Sequence, residues 1–371
     1  MTGDTSNRLD VARGLSALVV LAAHSFQIFL ARLATTPDSR FVAINGNAAR
    51  QAVLVFFVLS GFLITKSIIA NIKRNGYFNP FDYLSSRVAR IYPPFLFALT
   101  VSMLVVFVVH QFDLPGGARP LGEDPLRVRD HLEFTVSELW HALLMQSGMT
   151  IIDGPLWTLY IEVKLYFIAM SVALVACGPN ALHKIIGVLL ALAGLYAIRG
   201  DYNCGLFAVA WLVGSAATVI RNPSHTRLPA LIAAALIGFA LVFGPFAGSN
   251  VMDSSPNKVL QILCCLVYAH VLLISNRLEL NYPDAVRRTG DFSYTLYVVH
   301  APVMLLCFSL SLPVIGASWI LSFIFQTCAA VLAICVAVVA APILEDVPFY
   351  RSLIHRTWTR VIRFGQRISS T

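Results

Sequence analysis

The residues of this chain best suited to chemistry lie inside apolar runs, where charge and polarity are costly. The segment RLDVARGLSALVVLAAHSFQIFLARL, from Arg8 to Leu33, carries Asp10, Arg13 and His24 in a stretch of membrane-spanning length. Arg13 and His24 are eleven positions apart, which on a helix is a rise of about 16 Å and nearly a whole number of turns, so they share a face. Asp10 sits one turn before Arg13 on the same stripe, within reach of an ion pair. A neutral imidazole can remove a hydroxyl proton near pH 7, and a guanidinium can hold an anion. Ionisable groups at membrane depth point to a polar cavity or a reaction path. The bland alternative makes Asp10 and Arg13 interfacial anchors and His24 a satisfied core residue; it stands unless other spans supply partners.

Three further stretches supply them. GPLWTLYIEVKLYFI places Glu162 about 10 Å below the outer end of a span, with Tyr166 at i+4 on the same face and Trp157 one turn and a half before. A buried carboxylate there either takes part in chemistry or braces helices, with Arg13 or Lys164 as the partner, and the spacing leaves both open. DFSYTLYVVHAPVM puts Ser293, Tyr297 and His300 on one narrow stripe, a second histidine at mid-membrane depth. KRNGYFNPFDYLSSRVARIYPP places Arg87 and Arg90 at i,i+3 just ahead of Pro93 and Pro94. Paired planar forks suit phosphate oxygens, and ordinary positive-inside anchoring is the competing reading.

The elements that must position these groups are transmembrane helices. Of 371 residues, 57% are hydrophobic and only 12% charged, with a mean hydropathy of +0.74, against about a quarter charged in soluble domains. The formal charge of +8 is spread over short loops and one tail, so topology explains it and nucleic acid is not expected as a partner. Apolar runs fall near 10–32, 48–71, 87–110, 155–176, 182–199, 204–220, 228–246, 258–275, 291–310 and 316–342, giving an all-α, polytopic protein of about ten transmembrane helices. An even number puts both termini on one side. Assigning that side to the cytoplasm gives the inside segments about twice the Lys and Arg of the outside ones. The first run lacks a convincing cleavage site, so it is expected to be retained.

Two units follow: a transmembrane domain over 1–345 and a basic cytoplasmic tail over 346–371. The tail carries Arg356, Arg360, Arg363 and Arg367 on one face, which suits an interfacial helix on anionic lipid. The long outer connection from Gln111 to Gly154 contains HLEFTVSELWHALLMQ, read as an amphipathic helix on or re-entering the outer leaflet, with His131 and His141 at its surface. His270 reads as an isolated core residue. The seven cysteines fall mostly in apolar runs without CxxC pairs and read as small core residues; no metal is expected. There is no P-loop, GxSxG, HExxH or dinucleotide fingerprint. Nor are there paired Gly- or Pro-broken half-helices, the mark of many secondary transporters.

Taken in order, these motifs resemble the integral-membrane acyltransferase family 3. Arg13 with His24 resembles the family's first-helix Arg/His motif, FFVLSGFLITKS (Phe56 to Ser67) its second-helix signature, and RVARIYPPF (Arg87 to Phe95) its cytosolic RxxR motif. WTLYIEVKLYF (Trp157 to Phe167) resembles its Trp-x-x-x-x-Glu element, and FSYTLYVVH (Phe292 to His300) its late SYxxYxxH motif. Each is weak alone; their ordered conjunction from Asp10 to His300 is specific. Ser86 departs from the pattern, standing where a second basic residue often precedes the RxxR arginine, and no fused esterase-like extracytoplasmic domain follows the last span.

The resemblance implies a multi-pass O-acyltransferase of a bacterial cytoplasmic (inner) membrane. It would move an acyl group, in the first instance acetyl, from acyl-CoA to a hydroxyl of a carbohydrate or lipid-linked glycan. His24, Glu162 and Arg13 would be catalytic, with His24 the general base or the carrier of an acyl-imidazole. Arg87, Arg90 and Arg13 would hold the CoA, while Asp10, Trp157, Tyr166, Ser293, Tyr297 and His300 line the substrate path. The acyl-pantetheine arm would enter a through-membrane tunnel from the cytosol and the acceptor would approach from outside. A proton-coupled transporter or flippase is the alternative use of the same intramembrane groups.

Overall fold

The computed structural model describes residues 3–33, 40–121, 131–199, 202–221, 261–269 and 282–369. In chain order the helices are α1 (Gly3–Phe29), α2 (Arg40–Asn75), α3 (Pro80–Gln111), α4 (Val136–Leu143), α5 (Leu156–Cys177), α6 (Ala181–Ile198) and α7 (Tyr202–Arg221). They continue with α8 (261–269), α9 (Asp284–Arg288), α10 (Ser293–Ile315), α11 (Trp319–Leu344) and α12 (Val347–Ser369). A 3-10 turn, Thr289–Phe292, leads into α10. The described residues contain no strand beyond one isolated bridge between Pro115 and Arg119.

Seven of the described helices are long and apolar enough to cross a membrane, and α7 has a shorter apolar core, Cys204–Val219. The chain is an all-α, multi-pass membrane protein. Exposed leucines and valines such as Leu189 on α6 (60% exposed) and Val339 on α11 (77%) are what lipid-facing surfaces require. The run at 228–246 lies outside the described residues, as does His270; of the run at 258–275 only α8 is described.

Local chemistry sets the helix ends that matter for the site. Gly76 at φ 77° turns the chain out of α2, and Asn79 caps α3 by accepting from Asp82 N–H, with Pro80 in the first turn. Asn71 closes the hairpin: its Oδ1 accepts from Asn79 N–H at 2.8 Å and its Nδ2 donates to Asn79 O at 3.0 Å. Pro93 and Pro94 sit inside α3, and their missing N–H groups leave the carbonyls of Ala89 and Arg90 without the usual i+4 donors. At this hairpin α12 packs on α3. Asp82 receives Arg74 at 2.6 Å and Arg351 at 3.0 Å, with His355 at 3.8 Å, while Phe81 stacks on Trp358.

The amphipathic helix in the connection between α3 and α5 is shorter than the sequence pattern suggested. A reciprocal cap between Thr135 and Glu138 starts the helix at Val136, leaving His131 in the preceding loop, where its Nδ1–H donates to Gly117 O at 2.6 Å. Backbone at positive φ at Met145 and Gly148 ends it.

Close helix contact is built on small residues. A Cβ on Gly61 of α2 would meet Trp211 O at 1.9 Å, and one on Gly214 of α7 would meet Val58 O at 1.9 Å, so the two backbones touch there. Arginines clamp α1 against α10 and its neighbours at both ends. Arg13 Nη2 donates to Gly290 O at 3.2 Å, and Arg32 Nη2 donates to Gly316 O at 2.6 Å and Ser322 Oγ at 3.1 Å. That fixes the height of everything on α1 between them, His24 included.

Candidate active site

The polar groups gather into two neighbouring regions. The first is an enclosed cavity of about 220 Å³ among α1, α2, α3, α5 and α10, lined by Arg13, Arg87, Arg90, Glu162, Tyr166, Ser293 and Tyr297. Seven of the residues singled out from sequence therefore share one space. Arg13 also pairs with Asp10 at 3.3 Å, as their i,i+3 spacing allows. A Cβ on Gly290 would lie 2.6 Å from Asp10 Cβ, so only a glycine lets the chain come close enough to accept from Arg13.

Glu162 is neither paired with Lys164 nor bridged to Arg13. Its Oε1 accepts from Ser60 Oγ–H at 2.8 Å and from Tyr166 Oη–H at 2.5 Å, tying α5 to α2 and to its own next turn. Arg87 lies over the rings of Tyr83 and Tyr166, 5.8 and 5.9 Å from their centroids, a placement that suits a desolvated guanidinium. Its Nη2 reaches Ser67 and Ser86 only at 3.4 Å, and its buried Nε has no partner among the described residues. Ser86, the departure from the family pattern, thus touches the guanidinium it precedes.

The second region is a histidine pair. The rings of His24 on α1 and His300 on α10 lie 5.4 Å apart, tilted by 35°. His24 Nδ1–H donates to Gln27 Oε1 at 3.1 Å, and His300 Nδ1–H donates to Leu296 O at 2.9 Å. A carbonyl oxygen only accepts, so each ring carries a proton on Nδ1 in these contacts. His300 is 1% exposed, and its Nε2 has no partner among the described residues. Asn45 of α2 holds the neighbouring backbone by donating to Ala23 O at 2.9 Å.

Tyr297 stands between the two regions. It lines the cavity, its ring is 6.1 Å from that of His300, and its hydroxyl is hydrogen-bonded to Thr158 at 2.5 Å. Neither histidine is among the residues lining the cavity. Besides His300, two of the residues placed on the substrate path are not among those lining the cavity. Asp10 lines a separate open cleft with Asp284, Arg287, Arg288 and Asp291, and Trp157 packs on Phe207 of α7 at 5.5 Å. Sequence reasoning named no role for Ser60, Thr158 or Tyr294, which lie within its quoted motifs, and passed over the fully buried Asp153. Asp153 sits in the loop ahead of α5, where no periodic pattern could flag it.

The crossing apolar helices thus bring together a cation-rich cavity and a pair of imidazole rings. The sequence profile of the acyltransferase family 3, described as an acyltransferase domain, matches residues 6–341. The chain belongs to this family.

Among curated proteins, it is similar to an O-acetyl transferase of Shigella phage Sf6, 28% identical over 169 residues, which are 44% of each chain. It is also similar to an uncharacterized protein of Haemophilus influenzae, 24% identical over 234 residues, 60% of this chain and 86% of that one. A third relative is Protein 2 in the picA locus of Rhizobium radiobacter, 26% identical over 161 residues, 42% of this chain and 75% of that one. The match to the phage enzyme thus spans less than half of that protein's length. No solved structure matches the chain.

Proposed function

We propose that the protein transfers an acyl group, acetyl in the first instance, from acyl-CoA to a hydroxyl of a carbohydrate or lipid-linked glycan. One observation carries the reading. The cavity holds three guanidinium groups, and its one carboxylate is already occupied by Ser60 and Tyr166, so what remains on offer to a ligand is donor groups and positive charge. A diphosphate-bearing cofactor matches that demand; a neutral solute does not.

In this reading Arg87 and Arg90 hold the CoA phosphates at the cytosolic side, Arg13 neutralises charge along the path, and the acyl end passes Tyr297 to reach His24. His24 Nε2 takes the acceptor's hydroxyl proton as the oxygen attacks the thioester carbonyl. The C–S bond breaks, and the CoA thiolate leaves with the proton from the imidazolium. Glu162 keeps Ser60 and Tyr166 in place and balances the arginines. Metal is not needed for this step. The orientation that fits has both termini in the cytoplasm of a bacterial inner membrane, with ten spans in all, and follows from the excess of basic residues on that side. The phage O-acetyl transferase supports acetyl as the group and a hydroxyl as the acceptor.

The test uses purified protein in lipid nanodiscs with labelled acetyl-CoA and a panel of envelope glycans. Acceptor-dependent release of free CoA, with label on the glycan, is the expected result. Solute movement across vesicles with no CoA released would instead favour transport.

A further inference from the structure

We propose that the hydroxyl of Tyr294 recognises the pantetheine arm of the acyl donor by donating to one of its amide carbonyls. The proposal rests on the reading of the cavity as the acyl-CoA site and names a contact within it. Tyr294 lines the cavity, yet its Oη is buried and has no hydrogen-bond partner among the described residues. A buried hydroxyl without a partner costs free energy that folding alone does not return, so such a group has to be explained by something absent from the empty cavity. The neighbouring phenols differ. Tyr166 donates to Glu162, Tyr83 donates to Tyr166 O at 3.1 Å, and Tyr297 is bonded to Thr158. Arg87 Nε is the other buried donor left open beside this space.

Position decides which part of the ligand the hydroxyl meets. Tyr294 precedes His300 by six residues on α10, about 9 Å along the helix on the side where α10 begins. That is also the end at which Arg13 meets Gly290. The reacting carbonyl has to come to His24, beside His300. The stretch of ligand passing Tyr294 is therefore the arm between phosphates and thioester, whose acceptors are its two amide carbonyls. A phenol O–H against a carbonyl needs no charge and reads the arm independently of the acyl group carried.

Binding of two probes to nanodisc-embedded protein tests this: CoA, which has the arm, and adenosine 3′,5′-bisphosphate, which has phosphates without it. Tyr294→Phe removes one oxygen. It is expected to weaken CoA binding about fivefold with adenosine 3′,5′-bisphosphate unchanged, kcat at saturating acetyl-CoA unchanged, and the thermal midpoint of ligand-free protein no lower. Equal loss for both probes, or a lower midpoint without ligand, would show a structural role and overturn the assignment. A fall in kcat with CoA affinity intact would move the hydroxyl to the thioester and overturn it too. Unchanged CoA binding in Tyr294→Phe, with the native protein binding CoA, defeats this inference alone. Failure of the native protein to bind either probe defeats the reading of the cavity on which it rests.

Discussion

The arginine cavity and the histidine pair differ in which of their polar groups the protein leaves open. In the cavity, Arg87 Nε and Tyr294 Oη are buried without partners, and Arg87 leans on two aromatic rings in place of a carboxylate. At the histidine pair the Nδ1 side of each ring is held, by Gln27 or by Leu296 O, and the buried atom left without a partner among the described residues is His300 Nε2, an acid–base nitrogen. The cavity leaves donors open, whereas the pair leaves open the ring nitrogen opposite the one that is held. Binding and proton transfer are thus assigned to different helical levels, with Tyr297 and its bond to Thr158 between them. The comparison breaks if substitutions in the two regions give the same kinetic signature.

The largest effect is expected at the pair. His24→Ala should reduce acetyl transfer at least about a thousandfold while leaving acetyl-CoA affinity within about twofold, since His24 does not line the cavity. Turnover and donor affinity measured on the same nanodisc preparation check both halves. Retained turnover would remove His24 from the chemistry and leave the cavity reading standing.

Next comes Glu162→Gln. Its Oε1 accepts from both Ser60 and Tyr166 among three arginines. The amide keeps an acceptor but loses the charge that balances the guanidinium groups. Turnover should fall about tenfold as Ser60 and Tyr166 lose their charged acceptor, while an anionic donor binds at least as tightly. A weaker apparent affinity for acetyl-CoA in this variant would contradict the charge balance described. Arg87→Lys should do the opposite, raising the KM for acetyl-CoA about tenfold with kcat nearly unchanged, because an ammonium keeps charge but not the planar fork. An unchanged KM would leave Arg87 as a membrane anchor.

What could be read from the sequence, and what could not, follows the same division. Arg13, Arg87, Arg90 and Glu162 announce themselves because charge is rare in apolar runs, and all four line the cavity. The stripe Ser293, Tyr297 and His300 was legible from the helical period alone. Tyr294 lies within the quoted FSYTLYVVH motif but off the Ser293–Tyr297–His300 stripe, so the helical period did not single it out, although it lines the cavity. Ser60 lies within the quoted second-helix signature, but its partner, Glu162, is 102 residues away and known only once α2 and α5 are packed. Trp157 was placed on the path by its resemblance to the family's Trp-x-x-x-x-Glu element, and its ring packs on Phe207 of α7.

The smallest expected effect lies just past the end of α11. Glu345 accepts from Thr295 N–H at 2.9 Å and from its hydroxyl at 2.7 Å. Burial pushes its carboxyl up from the ordinary value, against the downward pull of these hydrogen bonds and of Arg90 and Arg13. A carboxyl raised on folding binds its proton more tightly in the native state than in the unfolded one. Its contribution to stability is therefore complete below the unfolded carboxylate range and is lost as pH rises through the native value. Glu345→Gln keeps an acceptor for Thr295 and cannot ionise. The thermal midpoint of the variant relative to native protein should accordingly rise by about 2 °C between pH 4 and pH 8, with most of the change just above the ordinary carboxylate range. A gap that stays constant over that window would mean that Arg13 and Arg90 fully offset the burial of Glu345, and the cavity's charge balance would then have to count this carboxylate beside Glu162.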